Sequence, residues 1–238
     1  MKKFNVDFKR ETDEFLEIVE SILLSLFIVF LMFTYFFQIS TVDGRSMEDT
    51  LQNNERVISK SFFKLENGQP IVLEAEYSYV FNKTIAEETA YRALALQMKN
   101  GDIPKVSDSQ LRKKAKKNVE IINADGFRLY KSLGINQRIV KRVIATEGQR
   151  VRIDFSNGDI FVDGEMIDEP YIKNLTFDDY SAFNYPSVVP EGYVYVLGDN
   201  RSVSKDSRHP DIGLVPVDHI VGVCFLKVYP ITEIGFVH

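Results

Sequence analysis

Residues that bind metals or form disulfides are scarce in this chain. Its 238 residues include one cysteine, Cys224, and three histidines, His209, His219 and His238. A single cysteine excludes an internal disulfide, and these four residues do not have the spacing of a zinc ligand set. We therefore expect neither a metal nor a cofactor.

Basic residues are fewer than acidic residues in this chain. The chain has 29 lysine and arginine residues against 34 aspartate and glutamate residues, which gives a formal net charge of −5 at pH 7. Because domains that bind nucleic acids usually carry a clustered basic face, we expect no nucleic-acid partner. Internal repeats and low-complexity linkers are absent as well. The length and a hydrophobic content of 45% suit one compact domain plus one membrane span.

Charged residues are missing from one long apolar stretch, residues 21–42. About twenty residues at about 1.5 Å each form a helix of roughly 30 Å, which is enough to cross the hydrocarbon core of a bilayer. The stretch is longer than the apolar region of a cleavable signal peptide, and Tyr35, Phe36 and Phe37 stand where a cleavage site needs small residues. We predict a retained transmembrane helix over 21–42, preceded by a cytoplasmic segment over 1–20.

Basic residues on the two sides of this span indicate its orientation. They are Lys2, Lys3, Lys9 and Arg10 before it, and Arg45, Arg56, Lys60 and Lys64 after it. The bias is small, and interspersed acidic residues count for little in the positive-inside rule. It favours a single-pass protein of the cell membrane with a cytoplasmic N-terminus and an extracytoplasmic domain over 43–238.

Alternating apolar residues and turn signals predict that the domain after the span is mainly β. Asn157-Gly158 supplies a hairpin turn, and Asp163-Gly164 a second one. The segments that we predict as strands are 38–42, 56–63, 71–73, 151–155, 160–162, 193–197 and 221–228.

The block from about 75 to 135 has a different character. Helix-forming residues with apolar positions at helical spacing run from Thr84 to Met98, and a second helix opens at Ser107 and continues through Lys117. We interpret the block as a partly helical insertion in the β domain. Its lysine run fits either a solvated helix face or a contact with anionic lipid headgroups.

Two residues of the extracytoplasmic domain are candidates for chemistry. Ser46 follows the span so closely that an extended chain places it no more than roughly 15 Å from the membrane. Lys141 shares the apolar face of a strand with Ile139 and Val143, where an ammonium group is costly unless it is paired or neutral. On its own, this pattern also fits a salt-bridged lysine at a sheet edge.

A third feature is the loop after the predicted strand 193–197. It contains Asp199, Arg201, Asp206 and Arg208. Two acids and two arginines can lock a loop by bidentate ion pairs. By itself the loop fits a purely structural element equally well.

Considered together, these features resemble the type I signal peptidases of bacteria. A serine hydroxyl is a weak nucleophile until a base takes its proton, and Ser–Lys pairs are one solution. The matching boxes stand in the family's order behind one N-terminal anchor: Ser46-Met47 with Thr50-Leu51, Lys141-Arg142-Val143-Ile144, and Gly198-Asp199-Asn200-Arg201 through Arg208. The block from 75 to 135 falls outside the resemblance.

The resemblance implies a role for each matching residue. Ser46 would attack the scissile carbonyl, Lys141 would be its general base, and Ser204 would hydrogen-bond the lysine and orient it. The other roles implied are an oxyanion hole at the Ser46 amide with a contribution near Gly44, a substrate cleft lined by Met47, and structural roles for Asp199, Arg201, Asp206 and Arg208.

The fold implied is a signal-peptidase-like β domain with a helical insertion, anchored by one transmembrane helix. The activity implied is cleavage of signal peptides from exported preproteins at the outer face of the membrane, with small pockets for alanine-like side chains at positions −1 and −3. Besides signal peptides and the lipid bilayer, the candidate partners are the secretion translocon and pilus components.

Alternatives to general signal-peptide cleavage remain. The chain departs from the family's pattern at Asp49, at 145–149 and at 67–70, which leaves open a dedicated substrate set such as pilus subunits. A factor that binds such a subunit without cleaving it is expected to have lost the serine or the lysine. A self-cleaving repressor also uses a Ser–Lys dyad, but the anchor and the lack of a DNA-binding module argue against it.

Overall fold

The computed structural model describes residues 2–62, 64–124, 126–185 and 187–238, with side chains from residue 14 onward. Met1 and Phe63, the last residue of a predicted strand, lie outside the described residues, as do the side chains of the basic residues before the span. The chain divides into one unit that ends at Gln38 and a second that covers Ile39–His238.

The elements in chain order are α1 (Lys2–Phe36), β1 (Phe37–Thr41), β2 (Arg56–Lys60), β3 (Pro70–Glu74), β4 (Tyr77–Val80), α2 (Lys83–Asn100), α3 (Asp108–Lys117), β5 (Glu120–Ala124), β6 (Phe127–Leu133), β7 (Arg138–Ala145), β8 (Arg150–Asp154), β9 (Asp159–Val162), β10 (Glu165–Met166), β11 (Ser187–Val188), β12 (Tyr193–Leu197), β13 (Val215–Pro216), β14 (Ile220–Tyr229) and β15 (Gly235–Phe236). Strand exceeds helix, 34% against 26%. The prediction of a mainly β fold with an N-terminal apolar helix is confirmed.

The first unit consists of α1. Within it, Glu14–Phe36 has a mean hydropathy of 2.4 over 23 residues and is long and apolar enough to cross a membrane. The helix ends at Phe36, and residues 37–41 form β1. The C-terminal end predicted for the transmembrane helix, residue 42, is therefore wrong. The β-branched residues from Ile39 onward favour a strand instead, and a strand over 38–42 was also predicted.

The second unit is built on an eight-stranded sheet in the order β1-β2-β14-β3-β7-β12-β13, with β15 beside β14. β7 lies between β3 and β12 and is antiparallel to both. Its sequence Arg-Ile-Val-Lys-Arg-Val-Ile-Ala is buried over most of its length, which is typical of a central strand.

A four-stranded sheet, β10-β9-β8-β11, packs on one face of the main sheet. Val151 and Ile160 of the smaller sheet share a core cluster with Ile144 and Tyr195 of the larger one. The predicted turn between β8 and β9 is confirmed, with Gly158 at a φ of +83° that glycine adopts without strain. A second core cluster contains Leu73, Val143, Val196 and Ile220.

The block from 75 to 135 contains both predicted helices and also a three-stranded sheet, β4-β6-β5, which the sequence analysis did not predict. The Asn82 side chain accepts hydrogen bonds at the start of α2, and Ser107 forms a capping box with Gln110 at the start of α3. The two helices pack through an apolar cluster that includes Leu94 and Leu111.

Candidate active site

Ser46 lies in the turn that joins β1 to β2. Val42 donates its N–H to the carbonyl of Glu55 at 2.8 Å, which closes this turn. Met47 and Leu51 are fully buried in a cluster that the main sheet also lines. Two large apolar side chains therefore fix the backbone just after the serine. Met47 contributes to the wall of the neighbouring groove from this buried position.

Lys141 reaches Ser46 from the central strand β7. Its Nζ lies 2.7 Å from the Ser46 Oγ and 2.8 Å from the carbonyl oxygen of Val140. The lysine is 3% exposed. The structure thus brings together the two side chains that the sequence singled out, at hydrogen-bond distance, with the lysine buried and the serine half-buried.

Burial is the main influence on the charge of Lys141. It lowers the pKa of the ammonium group from 10.5 to about 8, although the negative charges of Asp206 and Asp199 act in the opposite direction. A pKa near 8 leaves about one tenth of the lysine neutral at pH 7, whereas an ordinary lysine is almost entirely protonated there. Lys141 is therefore able to act as a base near neutral pH.

Ser204, which the resemblance implies as the residue that orients Lys141, is buried beside the dyad. Its Oγ has no hydrogen-bond partner among the residues that the structure describes, so the expected bond to Lys141 is not formed. A Cβ added to Gly198 would lie 2.2 Å from the Ser204 Oγ and 2.5 Å from the Ser46 carbonyl oxygen. Only glycine at position 198 allows both groups to pack so closely.

The oxyanion hole that the resemblance implies depends on the backbone N–H groups of Gly44 and Ser46. The Gly44 N–H donates to the Asn53 Oδ1 at 2.8 Å and is therefore occupied. The Ser46 N–H has no acceptor among the described residues. The Ser46 carbonyl accepts from the Asn200 N–H at 3.0 Å, which sets the orientation of the following peptide.

The two acids and two arginines of the loop after β12 were expected to pair with one another, but only two of the four do so. Of these four residues, only Asp206 and Arg208 pair with each other, in a bidentate contact of 2.9 Å for each bond. Asp199 pairs instead with Arg142 of β7, at 2.8 and 2.7 Å. This second pair joins the loop to the strand that carries Lys141, because Arg142 is the next residue.

Arg201 also finds its partner outside the loop. Its guanidinium bonds Glu169 and the Thr176 hydroxyl, and both arginine and glutamate are buried. Glu169 was not among the predicted site residues, since nothing in its local sequence marks it.

Asp49 is held by Lys173, at 3.2 Å. The same lysine contacts Glu48 at 3.1 Å, and Glu48 also pairs with Arg45 at 3.0 Å. The Arg45 and Lys173 cations lower the pKa of the Glu48 carboxyl. Arg45, Glu48, Asp49 and Lys173 thus form a charge network that includes three residues of the turn that carries Ser46.

A groove of about 440 Å³ runs past the dyad. Its lining includes Val42 and Gly44 on one side and Ile139 and Lys141 on the other. β3 pairs with one edge of β7 along residues 138–142, but β12 pairs with the other edge only from Arg142 onward. In the described part of the chain, no strand pairs with that second edge between Ile139 and Lys141. An extended peptide fits there by adding a strand.

Comparisons with known proteins identify the family of the chain. A model of the family "Signal peptidase, peptidase S26" matches residues 15–229. Signal peptidase I P of Bacillus subtilis subsp. natto is 27% identical over 232 residues, which are 95% of this chain and 95% of the relative. Signal peptidase IB of Staphylococcus aureus is 36% identical over 115 residues, which are 42% of this chain and 58% of the relative.

Other matches cover shorter parts of the chain. Probable signal peptidase I-2 of Synechocystis is 34% identical over 105 residues, so that this chain spans 44% of the relative's length. A crystal structure of a signal peptidase I from Enterococcus faecalis aligns with 37% of this chain and 83% of its own, at 31% identity and a TM-score of 0.30.

Proposed function

Because the chain belongs to the signal peptidase family, peptidase S26, whose members cleave signal peptides, we propose that it is a membrane-anchored serine endopeptidase with a Ser46–Lys141 dyad. Its substrates in this proposal are exported precursors that carry a signal peptide. The observation that carries the proposal is the 2.7 Å contact between Lys141 Nζ and Ser46 Oγ, made by a lysine that burial shifts toward its neutral form.

In the proposed mechanism, neutral Lys141 takes the hydroxyl proton while the Ser46 Oγ forms a bond to the scissile carbonyl carbon. The Ser46 N–H stabilises the negative charge on the carbonyl oxygen. The Lys141 ammonium then gives its proton to the leaving amine as the C–N bond breaks, which leaves an acyl-enzyme. A water molecule attacks the ester, again with Lys141 as base, and hydrolysis regenerates Ser46 and releases the signal peptide.

The anchor adds a positional argument. A signal peptide places its cleavage site just beyond its own apolar region, close to the membrane. The apolar segment of α1 ends at Phe36, and ten further residues lead to Ser46. A nucleophile tethered this near a bilayer gains effective concentration toward such a bond.

The alternative of a factor that binds an exported subunit without cleaving it is less well supported. It predicts that the serine or the lysine has been lost, whereas both are present and in contact. A dedicated substrate set is compatible with the dyad and with the departures at Asp49 and at 145–149.

The test is to incubate the detergent-solubilised full-length protein with a preprotein and to determine any new N-terminus by mass spectrometry. We expect one cut after the signal peptide. Ser46→Ala and Lys141→Met should each abolish this cleavage while the midpoint of thermal unfolding stays close to that of wild type. The double variant should have no less activity than either single variant, because residues that act as one unit give non-additive losses. Substantial cleavage by either single variant would contradict the dyad.

A further inference from the structure

A second, larger groove opens beside the one that contains the dyad. Its volume is about 1050 Å³, at the upper end of the range for pockets that enclose whole ligands. Ile135, Gln137 and Lys205 line both grooves. The two grooves are therefore adjacent, and these three residues lie at the border that a chain bound past Ser46 would cross to enter the second groove.

The floor of the second groove is the connection between β6 and β7. The Gly134 N–H donates to the Glu76 carbonyl, and the Asn136 N–H donates to the Ala75 carbonyl, both at 2.8 Å. A Cβ at Gly134 would lie 2.6 Å from the Ala75 carbonyl oxygen, so glycine is needed for this close approach. These contacts hold the floor in place before any ligand arrives.

The two walls come from different parts of the chain and are joined by ion pairs. Arg92 of α2 contacts Asp211 at 2.9 Å, and Lys205 contacts the other oxygen of Asp211 at 2.9 Å. The insertion is thereby connected to the loop that carries Ser204. The groove is lined by two cations, Arg92 and Lys205, and by two acids, Asp102 and Asp211, so it has no strong net charge with which to attract a polyanion.

The remaining lining indicates the chemistry of the occupant. Four of its ten polar or charged lining residues carry amide side chains: Gln97, Asn100, Asn136 and Gln137. Amides donate and accept hydrogen bonds in the way that peptide groups require. The apolar side chains of the lining are Ala93, Leu96, Leu133 and Ile135, and Leu96 on α2 is 57% exposed. A purely apolar segment is a poor occupant, since it would strip water from these amides without replacing their hydrogen bonds.

We propose that the second groove binds the polar peptide segment of the substrate that lies about four to seven residues from the scissile bond, and this rests on the proposed function. A strand added along β7 advances about 3.3 Å per residue, so the residue opposite Gln137 is about four positions from the one opposite Lys141. In this proposal, residues of the insertion contact the substrate outside the dyad groove and contribute to substrate specificity.

The test compares two peptides and two variants in the full-length, detergent-solubilised protein. The long peptide extends about eight residues on each side of the scissile bond and the short one about three, so that only the long one reaches the second groove. Leu96→Glu places a charge in the groove. Lys99→Gln is the matched control, because it lies on α2, is exposed, does not line the groove and changes the net charge by the same amount.

We expect wild type to cleave the long peptide with a kcat/KM about tenfold above that of the short one, the size of effect that a few pocket contacts produce. Leu96→Glu should remove most of this ratio, and Lys99→Gln should keep it. Equal kcat/KM values for the two peptides in wild type, or a Leu96→Glu variant that retains the wild-type ratio, would overturn the groove proposal.

Binding separates this proposal from the proposed function. In the Ser46→Ala background, the Kd of a fluorescent long peptide should rise about tenfold with Leu96→Glu and stay unchanged with Lys99→Gln. If wild type cleaves nothing but this difference in Kd is present, the peptidase proposal fails and the groove proposal stands. If cleavage depends on Ser46 but Kd is the same in all variants, the groove proposal fails alone.

Discussion

The pKa of Lys141 determines the pH range in which the proposed dyad works. Since Lys141 accepts the Ser46 proton only when it is neutral, kcat/KM should rise about tenfold per pH unit below pH 8 and level off above about pH 9. This range follows from the lowered pKa of about 8. A pH profile with a signal-peptide substrate measures it.

Direct titration is the control for this profile. The Lys141 ammonium, followed by NMR in the Ser46→Ala variant, should titrate near the kinetic value. A lysine that titrates near its ordinary pKa of about 10.4, in an enzyme whose activity nevertheless levels off near pH 9, would identify another group as the base.

The same shift predicts a change in stability with pH. Lys141 loses its proton near pH 10.5 in the unfolded chain but near pH 8 in the folded protein. Below pH 10.5 this difference lowers the free energy of unfolding. Relative to Lys141→Met, the free energy of unfolding of wild type should rise by about 3 kcal/mol from pH 8 to 10.5 and be flat below pH 8. Denaturant unfolding at several pH values measures the difference, and a constant difference would contradict the pKa assignment.

The loop after β12 is the element whose ion pairs we expect to matter most for stability. Arg208 is fully buried, and its removal leaves the Asp206 carboxylate in the core without its cation. Arg208→Ala should therefore lower the free energy of unfolding by about 3–5 kcal/mol. The control Lys83→Ala breaks a pair whose lysine is 62% exposed and should cost less than about 1 kcal/mol. Equal midpoints of thermal unfolding for the two variants would contradict the structural role of the loop.

Gly198 links this loop to the nucleophile. An alanine Cβ there would meet the Ser204 Oγ and the Ser46 carbonyl at 2.2 and 2.5 Å, so Gly198→Ala has to displace Ser46. We expect kcat to fall by about a hundredfold, the effect of a misplacement of about 1 Å. Gly235→Ala is the control, since a Cβ at that position meets nothing within 4 Å. Full activity in Gly198→Ala would show that Ser46 tolerates the shift.

The sequence predicted most strands outside the insertion and both helices within it, because periodicity and capping residues are local signals. It did not predict β4, β5 and β6, whose pairing depends on residues far apart in the chain. Arg142 and Asp199 are 57 residues apart, and Arg201 and Glu169 are 32 apart. Composition does not reveal such partners. Ser46 and Lys141 were found through the resemblance, while their 2.7 Å contact required the fold.

At the scale of the whole molecule, ion pairs join the insertion to the loop that lies beside the dyad. Arg92 of α2 reaches the loop that carries Ser204 through Asp211 and Lys205. A residue in the insertion can therefore influence which peptide reaches Ser46 without contacting the reacting atoms. This connection gives a physical reason why a chain with an intact dyad can be selective for a restricted set of precursors.

The orientation of the chain in the membrane is the last prediction. Four basic residues precede the apolar segment within the first ten positions of the sequence, and basic residues are retained on the cytoplasmic side. We therefore expect the unit over Ile39–His238 to be extracytoplasmic. Protease added to intact spheroplasts should digest it and leave an N-terminal fragment in the membrane, while a cytoplasmic marker protein stays intact as the control. Lysed spheroplasts show whether the folded unit is cleavable at all. Protection that is lost only on lysis would place Ser46 in the cytoplasm, where a dyad cannot meet the cleavage site of a translocated precursor.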